Sequence, residues 1–101
     1  MSMKHEICYL PAAEQDMVDI LEYIRRDNPS AAFKLINEID ETISQLEDFP
    51  HMGAIPKDFR LRSLNYRMLI IDNYLVFYVV KDCIVEIRRI LHGKRKYAFL
   101  L

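Results

Sequence analysis

One stretch constrains this chain more than any other: Asn73 to Tyr97, NYLVFYVVKDCIVEIRRILHGKRKY. Two runs rich in β-branched and aromatic residues, Tyr74–Val80 and Ile84–Leu91, flank the short break Lys81-Asp82-Cys83. That pattern predicts a β-hairpin and rules out an all-helical fold. Just upstream, Phe59–Ile71 (FRLRSLNYRMLII) also has strand composition. Asp72-Asn73 between them is a candidate two-residue turn, because Asp and Asn tolerate positive φ. That turn sets Ile71 opposite Tyr74, Ile70 opposite Leu75 and Arg67 opposite Tyr78. One face then carries Met68, Ile70, Leu75, Phe77 and Val79 and is wholly apolar. The other carries Arg67, Leu69, Ile71, Tyr74, Val76 and Tyr78 and is mixed. Hydrophobicity alone predicts that helices cover the first face, an assignment that a one-residue slip would reverse. The Lys81–Cys83 loop leaves open whether Arg88 or Arg89 joins Arg67.

The first half supplies those helices. Lys4–Leu10 (KHEICYL) is a short, partly alternating run that reads as a first strand. Pro11 suits the first position of a helix, where its missing N–H is not needed. Ala13, Met17, Ile20, Leu21 and Ile24 then recur as one helical stripe, predicting a helix over residues 11–27. Asn28-Pro29 breaks it and caps the next, whose stripe is Ala32, Leu35, Ile36, Ile39, Ile43 and Leu46. A join this short predicts an antiparallel helical hairpin, ended by Pro50 and Gly53. The acidic residues of both helices read as solvated faces without a catalytic role. The expected architecture is a single α+β domain over residues 1–101, in the order β-α-α-β-β-β, with an antiparallel sheet packed on a two-helix hairpin.

Charge is distributed unevenly along the chain. Residues 1–50 hold four Lys/Arg against eleven Asp/Glu, and residues 51–101 hold ten against four, so a half at −7 precedes a half at +6. The asymmetry fits either a basic working surface or two halves that neutralise each other. Cys8 and Cys83 are too few and too far apart for a disulfide framework or a zinc site, and read as reduced thiols. No stretch reaches the roughly 18 apolar residues of a membrane helix, and the N-terminus has no signal-peptide core. A cytoplasmic protein is expected, without membrane association.

Several chemistries are excluded in turn. The two glycines are isolated, so no nucleotide-binding glycine loop forms, and no cofactor is expected. His5, His51 and His92 lack metal-ligand spacing, and no metal is expected. What remains is a basic set interleaved with tyrosines. Metal-free RNA cleavage needs a base for the 2′-hydroxyl, cations for the developing charge and an acid for the leaving oxygen. Arg67, His92, Arg95 and Tyr97 are the candidates for those roles. Arg60, Arg62, Arg89, Lys94 and Lys96 are candidates for binding a target or nucleic acid. The competing structural reading makes Arg67 part of an ion pair and leaves HGKRKY a solvated tail.

At this point the residues resemble the RelE/ParE toxin superfamily of type II toxin–antitoxin (plasmid stabilisation) modules. The likeness runs through Pro11-Ala12-Ala13, Asp16, Asp19-Ile20 and Tyr23-Ile24, then Pro50 and Gly53. It continues through Tyr66-Arg67, Asn73-Tyr74-Leu75-Val76-Phe77-Tyr78 and Ile90-Leu91-His92-Gly93-Lys94-Arg95. The resemblance implies a small toxin, alone, as a homodimer or in a hetero-oligomer with a cognate antitoxin that wraps and silences it. One branch of the family cleaves messenger RNA in the ribosome without a metal; the ParE branch poisons DNA gyrase. The RNA-cleaving branch commonly has an arginine after the tyrosine of the third strand, where Leu75 stands here. Two lysines often found on the preceding strand are also absent, with Tyr66 and Met68 near those positions. Arg95 does match the family's arginine beyond the last strand. The pattern is closer to the ParE-like side, with gyrase the favoured target. A ribosome-dependent endoribonuclease is the alternative, and an inactive member that retains only antitoxin binding is the second.

Overall fold

The computed structural model describes residues 4–94 and Leu101. The elements run β1 (Glu6–Tyr9), α1 (Pro11–Arg25), α2 (Pro29–Ser44), α3 (Phe59–Ser63), β2 (Tyr66–Ile71), β3 (Tyr74–Lys81) and β4 (Ile84–His92). A 3₁₀ turn, Gln45–Glu47, extends α2. The fold is α+β, with the α1–α2 hairpin packed on a four-stranded sheet of order β1-β4-β3-β2.

Local signals place the helices. Pro11 opens α1, and the Leu10 N–H is bonded to the Ile87 carbonyl at 2.9 Å, tying the helix start to β4. Asn28 Oδ1 accepts from the Ala31 N–H at 3.1 Å and caps α2, satisfying a donor the helix cannot. The expected stripes are largely the buried ones, with Ala13 and Ile20 from α1 and Ala32, Ile39, Ile43 and Leu46 from α2 and its 3₁₀ turn.

Both hairpins close on an aspartate in the left-handed region. Asp72 has φ 52° and Asp82 has φ 54°. The β2–β3 register is the expected one, with Arg67 opposite Tyr78, Ile70 opposite Leu75 and Ile71 opposite Tyr74. Lys81 pairs with Ile84, so the second turn is the two residues Asp82-Cys83 rather than three. Farther along, Phe77 pairs with Arg89 and Tyr78 with Ile87, and Arg88 is the extra residue of a bulge. A bulge breaks the strict alternation of faces. Neither Arg88 nor Arg89 therefore stands across from Arg67.

Three expectations need correction. Phe59–Ile71 is not one strand. Asp58 Oδ1 accepts from the Leu61 N–H at 3.1 Å, capping the short α3. Asn65, at φ 64°, then turns the chain into β2. A local cap has overridden strand propensity there. The sheet is also mixed, because β1 pairs in parallel with β4.

The third correction concerns the faces. The helices cover the side bearing Leu69, Ile71, Val76, Tyr78, Val85, Ile87 and Ile90. The side of Met68, Leu75, Phe77 and Val79 packs instead with Leu61 of α3, Tyr66, Leu91 and Leu101. Ile70, from the face expected to be covered, is 68% exposed. The helices lie in the connection from β1 to β2, which runs parallel to β1 at the far edge of the sheet, and the hand of such a crossover selects its face whatever the hydrophobicity.

Candidate functional site

The cations of the sheet are partnered in two different ways. Arg89 Nε and Nη2 donate to the two oxygens of Asp16 at 2.7 and 2.8 Å, and the Ile90 N–H donates to the same carboxylate at 2.9 Å. The Asp16 side chain is 8% exposed. This acid sits at the margin of the α1 stripe and was expected in solvent; it is instead the buried anchor between α1 and β4. The hydrogen bond from Arg89 to Asp16 raises the arginine's pKa against the opposing effect of burial. On the opposite face, Arg88 lies over the Tyr66 ring at 5.6 Å and donates to Glu86 at 2.8 Å. Lys81 approaches the same carboxylate at 3.6 Å, and Glu86 is held below the ordinary carboxylate range, chiefly by Arg88.

Arg67 is committed to the loop after α2. Its Nη1 donates to the carbonyls of His51 and Gly53, each at 2.9 Å. The Gly53 N–H in turn donates to the buried Tyr78 hydroxyl at 2.9 Å. A Cβ on Gly53 would stand 2.6 Å from that hydroxyl, so the close approach requires glycine. Burial pushes the Tyr78 phenol up, while the Gly53 bond and the Arg67 charge work against it.

His92 belongs to a different place. It pairs with Tyr74 across β3, ring edge to face, at 5.3 Å between centroids. Its Nδ1 accepts from the Lys94 N–H at 3.2 Å; in a neutral ring that leaves the proton on Nε2. A groove of about 480 Å³ runs beside it, lined by Asp19 and Tyr23 of α1 and by Tyr74 and Leu91. Tyr74 is raised by burial and then by Tyr23.

Tyr74 and Tyr78 stand four positions apart on β3, a span of about 13 Å. His92 on β4 and Arg67 on β2, their respective cross-strand partners, thus flank opposite sides of β3, one at its start and one at its middle, and line different hollows. Arg62 is exposed on α3 and shares a hollow with Arg67 and His51; Arg60 is exposed on the same helix. Lys94 is exposed beside His92. Arg95, Lys96 and Tyr97 lie outside the described residues. Asp16, His51, Asn65 and Tyr23 were not among the sequence candidates. Only Asp16 carried a sequence signal, being one turn from both Ala13 and Ile20.

Residues 7–97 match the family of ParE toxins of type II toxin–antitoxin systems, parDE. The chain belongs to the ParE toxin family. A solved structure described as a chromosomal ParDE TA system from P. aeruginosa is similar, with TM-score 0.75 and 19% identity. The match covers 90% of this chain and 98% of that one, and at such identity it shows the fold. No curated protein sequence matches the chain. Among the described residues of this ParE-family chain, no helix is long and apolar enough to cross a membrane.

Proposed function

We propose that this ParE-family chain is the toxin of a type II toxin–antitoxin module. It arrests growth in the cytoplasm by binding an essential protein, DNA gyrase first among the candidates, and a cognate antitoxin neutralises it. The observation that carries this reading over RNA cleavage is the separation of Arg67 from His92. A base and a charge-stabilising cation must reach one phosphate, yet Arg67 is turned onto two loop carbonyls on the other side of β3, four positions along from the Tyr74–His92 pair. Leu75, at the place of the RNA-cleaving branch's arginine, packs into an apolar cluster with Phe77 and Leu91.

The test is expression without antitoxin, followed by an assay on purified gyrase. The expected outcome is growth arrest with DNA-damage signalling, lost supercoiling activity and translation that continues at first. Immediate translational arrest with messages cut in the ribosomal A site overturns the gyrase reading. Undisturbed growth assigns the chain to the inactive class instead.

A further inference from the structure

We propose that a cationic notch at the outer edge of the sheet docks an acidic peptide segment, seating one carboxylate between Arg62 and Arg67. The inference stands apart from the choice of growth-arrest target. The notch exists because β3 outruns β2. Tyr66, the first residue of β2, pairs with Val79, and Val80 and Lys81 have a strand partner only in β4. Asn65 turns the chain away at φ 64°. The result is a hollow of about 280 Å³ lined by His51, Ile55, Arg62, Asn65, Arg67 and Val80 beside the Tyr66 ring.

Its charge is uncompensated. Among the described residues no carboxylate lines the hollow, whereas Lys81 and Arg88 have Glu86 and Arg89 has Asp16. Arg62 has no side-chain hydrogen bond or ion pair among the described residues. Arg67 is held in place through Nη1 alone, which leaves Nε and Nη2 as preorganised donors. Two guanidinium groups converging on one small space repel each other unless an anion joins them, and a carboxylate matches their fork geometry.

The surroundings favour a peptide over a nucleic acid. A polynucleotide needs a track of cations along its backbone; here the other described sheet cations are neutralised within the fold. The neighbouring hollow is formed by Ile55, Phe59, Arg62 and Ser63, with Phe59 82% and Ile55 58% exposed. Exposed aromatic and apolar side chains beside arginines are the composition that protein interfaces favour. The middle of the β2 edge is closed, since Ala54 and Met68 exchange both backbone hydrogen bonds at 2.9 Å. The segment therefore enters by alternating acidic and apolar side chains rather than as an added strand.

The experiment is an NMR titration of the ¹⁵N-labelled full chain with the acetylated, amidated peptide Leu-Glu-Leu-Glu-Val. Its glutamine counterpart and a short oligouridylate serve as comparison probes. The expected result is perturbation of the Asn65 amide and of the Arg62 and Arg67 Nε–H signals by the acidic peptide. Binding should weaken about tenfold both for the glutamine peptide and for Arg62→Gln, as loss of a charged hydrogen bond implies. Arg62 is exposed, so that variant keeps the parent's melting temperature. The proposal is overturned by equal binding of the two peptides, by unchanged affinity in Arg62→Gln, or by preference for the oligonucleotide. Shifts confined to the Tyr74–His92 groove, or no binding at millimolar peptide, overturn it as well.

Discussion

The two faces of the sheet are both apolar, yet they are covered by different means. On one, two long helices bury Val76, Tyr78, Ile87 and Ile90, and the ion pair Asp16–Arg89 is enclosed with them. On the other, the one-and-a-half turns of α3 and Leu101 pack against Tyr66, Phe77, Val79 and Leu91. The face richer in apolar residues received the thinner cover. Hydrophobicity decides that a surface is buried; connectivity decides what buries it. The loop after α2 serves the helical side, through Tyr78 and Arg67, and passes to the sheet edge, where the notch forms.

Substitutions on each side can break this comparison. The largest effect is expected from Phe77→Ala on the thinly covered face. Phe77 is fully buried and meets Tyr66 edge to face at 6.5 Å, so its loss should cost roughly 3–5 kcal/mol. A denaturant midpoint corresponding to less than about 1 kcal/mol would reduce that face to mere surface.

Next comes the ion pair. Asp16→Ala removes the carboxylate that Arg89 and the Ile90 N–H share on the helical side and should cost about 3 kcal/mol in urea unfolding. Replacing Arg89 by Met in the same chain should recover part of that loss. Strict additivity of the two substitutions would show that the pair is not coupled.

Gly53→Ala follows. Its Cβ would meet the Tyr78 hydroxyl at 2.6 Å and the Met68 carbonyl at 3.0 Å, and forcing the loop off the sheet should cost about 2 kcal/mol. A melting temperature equal to the parent's would mean that the loop is not docked as described.

The smallest effect is a pH dependence specific to the helical side. Tyr9, bonded to Asp40 at 2.9 Å, and Tyr78 both have raised phenol pKa values, with burial the leading cause. In the unfolded chain these phenols ionise near pH 10, about their ordinary value. The stability they contribute is therefore complete below that pH and falls as pH rises beyond it. Tyr9→Phe should flatten the alkaline limb of a stability-versus-pH curve, and an unchanged slope would contradict the assignment.

Much of the fold was legible where neighbours in sequence are neighbours in space. Asp72-Asn73 set the β2–β3 register because a two-residue turn admits few alternatives, and Asn28-Pro29 marked the helix junction by a cap that needs only three residues. Phe59–Ser63 misled because strand composition and the Asp58 cap pointed in different directions, and the cap acts locally. The site was less legible. Arg67 and His92 share a sequence flavour, but they lie on opposite sides of β3 and four positions apart along it, and no residue-type pattern encodes that distance. Arg89 looked like a surface cation because its partner, Asp16, is 73 residues away.

By itself, then, the sequence determined what short-range forces decide: two helices, two tight hairpins, the register of the first of them, and family membership through the order of its motifs. Only the tertiary structure decided which face the helices took, that β1 joined β4 in parallel, and which cations found carboxylates. Those outcomes depend on the hand of a long crossover and on contacts closed over most of the chain. Loop closure across that length is set by how all the elements fit together, and not by any one segment.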